Sequence, residues 1–246
     1  MGEAIVFTSG KGGVGKTTAI ANIGTGLSQL DKKVIMLDAD MGLRNLDVVM
    51  GLEERIRYNL LDLLENKCRL KQALIKDKRF DNLYMIPASL KTGPLKDYIP
   101  ALQILIESLK TEFDYILIDS PAGIEEGFWF SISAIDRAAV ITTPSISAVR
   151  DAGRVIYLLE SNDVHKIDLI INEYDSFLAR RREMLSRDDI EEILDIRAIG
   201  TVSSDKKIII SQNRGIPAVA LRSRAGREFF EISKRFNIAE EVSNEN

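Results

Sequence analysis

The sequence predicts a single α/β domain, with a mostly parallel central sheet covered by helices on both faces. Two patterns predict it: short apolar runs recur along the chain, and longer segments with helical periodicity lie between them. The apolar runs lack the polar alternation of a half-exposed strand, so we expect strands that are buried on both faces. These runs are Ile5–Phe7, Val34–Leu37, Leu83–Ile86, Tyr115–Ile118, Ala138–Ile141, Ile167–Ile171 and Ile196–Val202.

Helical segments connect these strands and predict right-handed crossovers between parallel neighbours. The clearest are Thr17–Leu30, Pro100–Lys110, Ala148–Ser161, Asp188–Leu194 and Ala225–Phe236. No linker rich in proline, glycine or serine interrupts the alternation, so we expect residues 1–246 to form one domain. Within it, we expect residues 237–246 to form a loose acidic tail.

Composition narrows the class of protein. The net charge is −4 and the pI is about 5.3, which argues against a protein that coats nucleic acid with its whole surface. Cys68 is the only cysteine, which excludes an intrachain disulfide and a thiolate cluster and suits a reducing cytosol. No uninterrupted apolar run reaches the ~18 residues that predict a transmembrane helix.

A glycine-rich loop follows the first strand and leads into a helix, the context that a P-loop requires. Its backbone N–H groups can surround phosphates, and the new helix adds the positive end of its dipole. Lys16 would reach the β- and γ-phosphates of ATP, and the Thr17 hydroxyl would occupy one position around Mg²⁺. The residues of this predicted nucleotide site are Gly10, Lys11, Gly12, Gly13, Val14, Gly15, Lys16, Thr17 and Thr18.

Three acidic residues follow two buried strands. Asp38 and Asp40 follow Val34–Leu37, and Asp119 follows Tyr115–Ile118. Parallel α/β sheets bind ligands at the carboxyl ends of their strands, so we expect these carboxylates beside the P-loop. We predict that Asp119 holds Mg²⁺ through water, that Asp38 supports the Mg²⁺ shell, and that Asp40 orients the attacking water.

The run from Lys11 to Thr18 resembles the deviant P-loop of partition and septum-site ATPases. Several other stretches are similar to the septum-site-determining (MinD) family, and the resemblance covers residues 3 to about 230. The stretches are Met41–Gly51, with Gly-Leu-Arg-Asn-Leu-Asp as its most specific part, and Gln72–Asp77, Leu83–Ser89, Asp119–Glu125 and Ser147–Ala152.

This resemblance implies functions that the residues alone do not. By itself, Lys11 could be a solvated loop lysine; in the family, the matching lysine enters the partner's nucleotide site in an ATP-dependent homodimer. The resemblance also implies that Asn172 and the backbone beside Pro217 contact adenine. Expected partners are the division inhibitor MinC and, where present, MinE. Arg44, Asn45, Arg150 and Asp151 fall on the implied partner surface.

The resemblance implies a cytoplasmic protein that attaches to the inner face of the cell membrane through a basic C-terminal helix. Residues 237–246 carry three acidic and no basic side chains, so we expect the anchor to be missing from this chain. Two other differences concern the nucleotide loops. Ser203-Ser204-Asp205 replaces the family's proline-acid-aspartate pattern, and Glu173 stands where a basic residue is common.

Other positioning ATPases remain open as alternatives. A partition-type ATPase would need a basic surface for DNA, and Arg180–Arg182 is the only dense basic run, so nucleic acid is not the expected partner. A flagellar-number ATPase shares the same motifs. An iron–sulfur carrier of this fold typically needs two cysteines per chain, which Cys68 alone cannot supply. His165, the single histidine, is interpreted as a surface residue.

Overall fold

The computed structural model describes residues 1–91 and 93–243, with side-chain environments through Asn237. Eight strands form one sheet in the order β3-β4-β2-β5-β1-β6-β7-β8. All neighbours are parallel except β3 and β4, which are antiparallel. The strands are β1 (Glu3–Thr8), β2 (Val34–Asp38), β3 (Ile75–Lys76), β4 (Leu83–Ile86), β5 (Tyr115–Asp119), β6 (Arg137–Thr142), β7 (Ile167–Tyr174) and β8 (Ala198–Ser203).

Helices lie on both faces of this sheet, which confirms the predicted fold class. The described residues form α1 (Lys16–Gln29), α2 (Leu46–Met50), α3 (Leu60–Leu64), α4 (Leu70–Ala73), α5 (Ile99–Leu109), α6 (Glu126–Ile132), α7 (Ile146–Glu160), α8 (Ser176–Arg180), α9 (Arg187–Leu194), α10 (Lys207–Asn213) and α11 (Arg224–Ser243). Three 3₁₀ turns lie at Glu53–Arg55, Lys96–Tyr98 and Ala218–Ala220.

Strand β1 shows why the strands appear in the sequence as continuous apolar runs. Successive side chains of a strand point to opposite faces, and both faces of this sheet are covered. Ala4 and Val6 belong to the core beneath α5, α6 and α7, whereas Ile5 and Phe7 belong to the core beneath α1 and α11. All four side chains are fully buried, so the middle of the strand, from Ala4 to Phe7, has no side chain that faces water.

Two parts of the fold differ from the sequence expectation. Strand β3, which pairs with β4 in two positions only, was not predicted, because a strand of two residues has no measurable periodicity. Helix α11 continues to Ser243, so the backbone of residues 237–243 extends the helix instead of forming a loose tail. Residues 244–246 of the predicted tail lie outside the described residues.

Within the described residues, no helix combines the length and the apolar character that crossing a membrane requires.

Candidate functional site

Parallel register brings the predicted acidic residues together. Strand β5 lies between β2 and β1, and Asp38 is the register partner of Asp119, which is also aligned with Phe7 of β1. The P-loop leaves β1 directly after this position. The two carboxylates and the loop therefore meet at the carboxyl edge of the sheet, as the strand pattern predicted.

The P-loop turns sharply into α1, and Gly15 makes the turn. Gly15 has a φ of +93°, in the left-handed region that favours glycine, and its carbonyl oxygen accepts the first helical bond from Ala19 N at 2.8 Å. Behind the loop, Asn172 Nδ2 donates to the Val14 carbonyl at 2.8 Å. A Cβ on Gly15 would lie 2.3 Å from this Nδ2 atom. Asn172 therefore supports the P-loop from beneath, and its Oδ1 atom is not used in that bond.

Lys16 is the first residue of α1, and its side chain is held close to two acidic residues. Only 8% of the residue is exposed. Burial lowers the pKa of the Lys16 ammonium, while the charges of Asp119 and Asp40 act in the opposite direction. A desolvated cation beside carboxylates at the start of a helix is suited to binding a phosphate group.

Asp119 is buried without a partner that satisfies it. Neither carboxylate oxygen completes a hydrogen bond within the described part of the chain. Burial raises the pKa of Asp119 to about 7, and interactions with Thr17 and Lys16 only partly offset that effect. Burying a charged group in this way costs free energy unless a cation neutralises it. The Asp119 carboxylate beside the Thr17 hydroxyl fits a Mg²⁺ ion as the neutralising cation, because Mg²⁺ prefers oxygen ligands and needs only one or two carboxylates.

Asp38, beside Asp119, fixes the backbone of the loop that follows β2. Its Oδ1 accepts a hydrogen bond from Asp40 N at 3.0 Å, and its Oδ2 accepts one from Leu46 N at 3.3 Å. Burial and the neighbouring charge of Asp119 raise the pKa of Asp38 well above its usual value. Asp38 thus holds both ends of the loop that contains Asp40. Its predicted role in the Mg²⁺ shell stays a prediction.

Replacing Asp119 with asparagine is expected to stabilise the ligand-free protein and to weaken the Mg²⁺ dependence of nucleotide binding. The amide removes a buried charge that faces Asp38. Melting temperature without ligand should rise by a few degrees, the shift that about 1 kcal/mol gives in a domain of this size. Mg²⁺ affinity in the presence of nucleotide should fall by about 10- to 100-fold.

Differential scanning fluorimetry and Mg²⁺ titration of the nucleotide complex would measure the two effects. Asp114→Asn is the matched control. Asp114 immediately precedes the first residue of β5, whereas Asp119 is its last, and Asp114 accepts a hydrogen bond from Lys33 N at 2.6 Å. If Asp119→Asn behaved like Asp114→Asn in both assays, the metal role of Asp119 would be wrong.

A cleft of about 990 Å³ opens above these residues. One side of it consists of the P-loop with Asp40, and another consists of α2 and the loop after α10. Gln212 connects the two sides, because its Nε2 donates to Thr18 Oγ1 at 2.7 Å. The lining residues are Gly12, Gly13, Gly15, Lys16, Thr17, Thr18, Asp40, Leu43, Asn45, Val48, Val49, Gly51, Glu53, Pro121, Ala122, Gln212, Asn213, Arg214 and Gly215.

Pro217 was predicted to mark the adenine contact, but it does not line the cleft. It is buried, and its carbonyl oxygen accepts the first bond of the 3₁₀ turn from Ala220 N at 2.9 Å. The part of this segment that lines the cleft is Gln212–Gly215, which comprises the last two residues of α10 and the first two of the loop after it. Contact between adenine and the backbone beside Pro217 stays a prediction.

Lys11 contacts a neighbouring helix and does not line the cleft. Its exposed side chain donates from Nζ to Ser147 Oγ, 3.3 Å away, at the start of α7. Gly10 packs closely on the same helix, since a Cβ on Gly10 would lie 2.3 Å from the carbonyl oxygen of Asp151. The beginning of the P-loop therefore contacts α7 directly.

The remaining predicted partner residues occupy two places. Arg44 lies in the loop that contains Asp40 and pairs with Asp47, with 2.8 Å between Nε and Oδ2, and Asn45 lines the cleft. Arg150 is exposed on α7, one residue before Asp151. The structure thus separates the four residues into a cleft pair and a helix pair. Their partner contacts stay predictions.

Among the described residues, no group of three or more His, Cys, Asp or Glu side chains is arranged to hold a metal ion. The arrangement at the P-loop fits instead a metal that takes most of its ligands from phosphates and water.

Known proteins are similar to this chain in sequence and in fold. A family model described as an AAA domain matches residues 2–149. The septum site-determining protein MinD of Synechocystis sp. is 48% identical over 239 residues, which cover 96% of this chain and 89% of the relative. A chain in the solved MinC:MinD cell division protein complex of Aquifex aeolicus has 43% identity and a TM-score of 0.88, with 95% of each chain covered.

A solved structure of MinD from Pyrococcus horikoshii contains Mg-ADP, and its chain has a TM-score of 0.86 at 28% identity, with 98% of each chain covered. Agreement thus extends over nearly the whole length in sequence and in structure. The chain belongs to the MinD family of septum site-determining P-loop ATPases.

Proposed function

We propose that this protein is a Mg²⁺-dependent ATPase that acts as a switch in division-site placement. It binds ATP, dimerises, recruits a division inhibitor in that state, and returns to the monomer after slow hydrolysis. The observation that carries the proposal is the meeting of Lys16, Asp40 and Asp119 at one P-loop, beside a cleft of about 990 Å³. The relative solved with Mg-ADP supports the choice of ligand.

The metal would be held by the Thr17 hydroxyl and, through water, by Asp119. When bound there, Mg²⁺ would neutralise charge on the β- and γ-phosphates. The unpartnered oxygens of Asp119 support this placement. Asp38 would keep the adjacent loop in position through its bonds to the Asp40 and Leu46 amides.

Hydrolysis would proceed by in-line attack of water on the γ-phosphate. Lys16 would hold the phosphate oxygens, and Asp40 would orient the water with its half-buried carboxylate. Burial raises the pKa of Asp40 and the nearby Lys16 charge lowers it, so the charge states of the two groups depend on each other. Charge that develops on the phosphate would be stabilised by groups already in place, which is the usual source of rate in such sites.

The adenine base would lie among the cleft walls that the P-loop does not form. Asn172 does not line the cleft, but only its Nδ2 bonds the P-loop, so its Oδ1 would be the atom that accepts from the adenine amino group. The end of α10 and the start of the following loop, Gln212–Gly215, would supply the opposite wall. Backbone contact beside Pro217 would require that loop to move when the base binds.

Lys11 would link ATP binding to dimerisation. In the single chain, its ammonium group rests on Ser147. In the proposed dimer, it would leave this contact and neutralise phosphate charge in the partner subunit, where other P-loop enzymes use an arginine finger. The same movement would change the surface of α7 beside Asp151, and α7 is where the division inhibitor is expected to bind.

Lys11→Ala is expected to abolish ATP-dependent dimerisation and to reduce turnover by about 10³-fold, the lower end of what an inserted cation contributes. Light scattering with ATP and with ADP measures the dimer, and phosphate release measures turnover. Lys166→Ala is the control, because Lys166 is also exposed and makes one long contact, 3.4 Å from Nζ to Glu3 Oε1. Unchanged dimerisation and turnover in Lys11→Ala would exclude the role across the subunit interface.

Partner recruitment is proposed from the family. The Aquifex aeolicus relative was solved in a MinC:MinD complex, so the expected partner is a division inhibitor of the MinC type. The proposed contacts are Arg150 and Asp151 on α7, together with Arg44 and Asn45 near the cleft. Stimulation by MinE, where it is present, and peripheral attachment to the inner face of the membrane complete the proposed cycle.

A further inference from the structure

Arg79 connects two walls of the cleft although it does not line the cleft itself. Its Nη1 donates to the carbonyl oxygen of Gly215 at 2.6 Å, and its Nη2 donates to the carbonyl oxygen of Met50. Met50 ends α2, and Gly215 belongs to the loop after α10. One guanidinium group therefore ties together two segments that are far apart in the chain.

Asp77 fixes the direction of this guanidinium. Its Oδ1 accepts from Arg79 Nε at 3.0 Å and from the Arg79 backbone N at 2.8 Å, and its Oδ2 accepts from Nη2 at 2.6 Å. The Asp77 side chain is only 1% exposed, and that of Arg79 is 36% exposed. A two-point contact between guanidinium and carboxylate restricts the arginine to one orientation, which a lysine could not reproduce.

The two segments meet backbone to backbone at Gly51 and Gly215. Both have positive φ, +62° and +59°. A Cβ on Gly215 would lie 2.4 Å from the Cα of Gly51, and a Cβ on Gly51 would lie 2.8 Å from the carbonyl oxygen of Gly215. Side chains cannot interlock at such a contact. Hydrogen bonds from Arg79 to the carbonyls on both sides are therefore well placed to hold it together.

The P-loop takes the phosphates, so the nucleoside is left to walls such as Val48, Val49, Gly51 and Gln212–Gly215. We propose that Arg79 is a positioning residue for nucleotide binding, which sets the spacing between α2 and the loop after α10 around the nucleoside. This role rests on the proposed function, because it requires that the cleft binds a nucleotide whose nucleoside contacts these walls.

Two variants separate this role from general stability. Arg79→Met removes the bridge, and Arg79→Lys keeps a cation for Asp77 but cannot bond both carbonyls while paired with it. Isothermal titration would compare Mg-ATP with Mg-tripolyphosphate, which has phosphates but no nucleoside. We expect the Kd for ATP to rise about tenfold in both variants, equivalent to about 1.4 kcal/mol. The Kd for tripolyphosphate and the kcat at saturating ATP should stay at wild-type values.

The matched control is Arg187→Met. Arg187 also joins a carboxylate and a backbone carbonyl, with Nε 2.6 Å from Glu191 Oε1 and Nη2 2.7 Å from the Ala198 oxygen, but at the far edge of the sheet. Wild-type ATP affinity in both Arg79 variants would overturn the proposal, and so would an equal loss for both ligands. If the wild type itself bound neither ligand, the proposed function would fall together with this role. Should Arg79→Met not fold, Arg79→Lys carries the test.

Discussion

Lys16→Ala is expected to weaken Mg-ATP binding by at least about a hundredfold, or about 2.8 kcal/mol. Lys16 is the buried cation at the start of α1, and the P-loop amides alone would remain to bind the phosphates. Charge-assisted hydrogen bonds to phosphate are among the strongest that a protein makes. Since Asp119 and Asp40 would lose the nearby cation, their charges would also repel the incoming triphosphate.

Equilibrium titration with a fluorescent ATP analogue would measure this loss. Lys110→Ala is the control. Lys110 is similarly buried, at 9% exposure, and pairs with Asp136 at 2.8 Å. It lies beside the amino end of β1, whereas the P-loop follows the carboxyl end of that strand. Both substitutions remove a buried cation from carboxylates, and only one is at the P-loop. An ATP affinity in Lys16→Ala equal to that of Lys110→Ala would contradict the proposed site.

Asp40→Ala is expected to leave ATP binding nearly intact and to reduce turnover by about 10²- to 10⁴-fold, the usual contribution of a residue that manages a proton or a water. Asp40 lines the cleft on the P-loop side and is half-buried. Without its carboxylate, water beside the γ-phosphate loses its orientation while the phosphate contacts of Lys16 persist. The ATP-bound dimer should therefore accumulate.

Single-turnover phosphate release and light scattering with ATP would show the two effects together. Asp114→Ala is the control for removing an aspartate from a loop beside the sheet. A variant that lost ATP binding and turnover in parallel would mean that Asp40 has a structural role. A variant that hydrolysed ATP at the wild-type rate would remove Asp40 from the mechanism.

Much of the fold was predictable because burial on both faces leaves a clear mark on a strand. The predicted run Tyr115–Ile118 is strand β5 without its last residue, and Val34–Leu37 is β2 without its last residue. The residues missing from the prediction are Asp119 and Asp38, two charged side chains that a hydrophobic pattern excludes. The two carboxylates predicted for the Mg²⁺ site are therefore the last residues of their strands.

The residues of the candidate site were predictable, but most of the hydrogen bonds between them were not. Register places Asp38 beside Asp119, but nothing local shows that Asp38 also bonds the Asp40 and Leu46 amides. Arg79 was not predicted at all. Its bonds to Met50 and Gly215 span 29 and 136 residues, and a contact of that kind leaves no periodicity or motif in the chain.

Backbone contact between Gly51 and Gly215 restricts how this protein can evolve. Every substitution adds at least a Cβ, and a larger residue at one position cannot be offset at the other, because no residue is smaller than glycine. Mutational drift around the cleft is therefore left to positions whose side chains have space, such as Val48 and Val49.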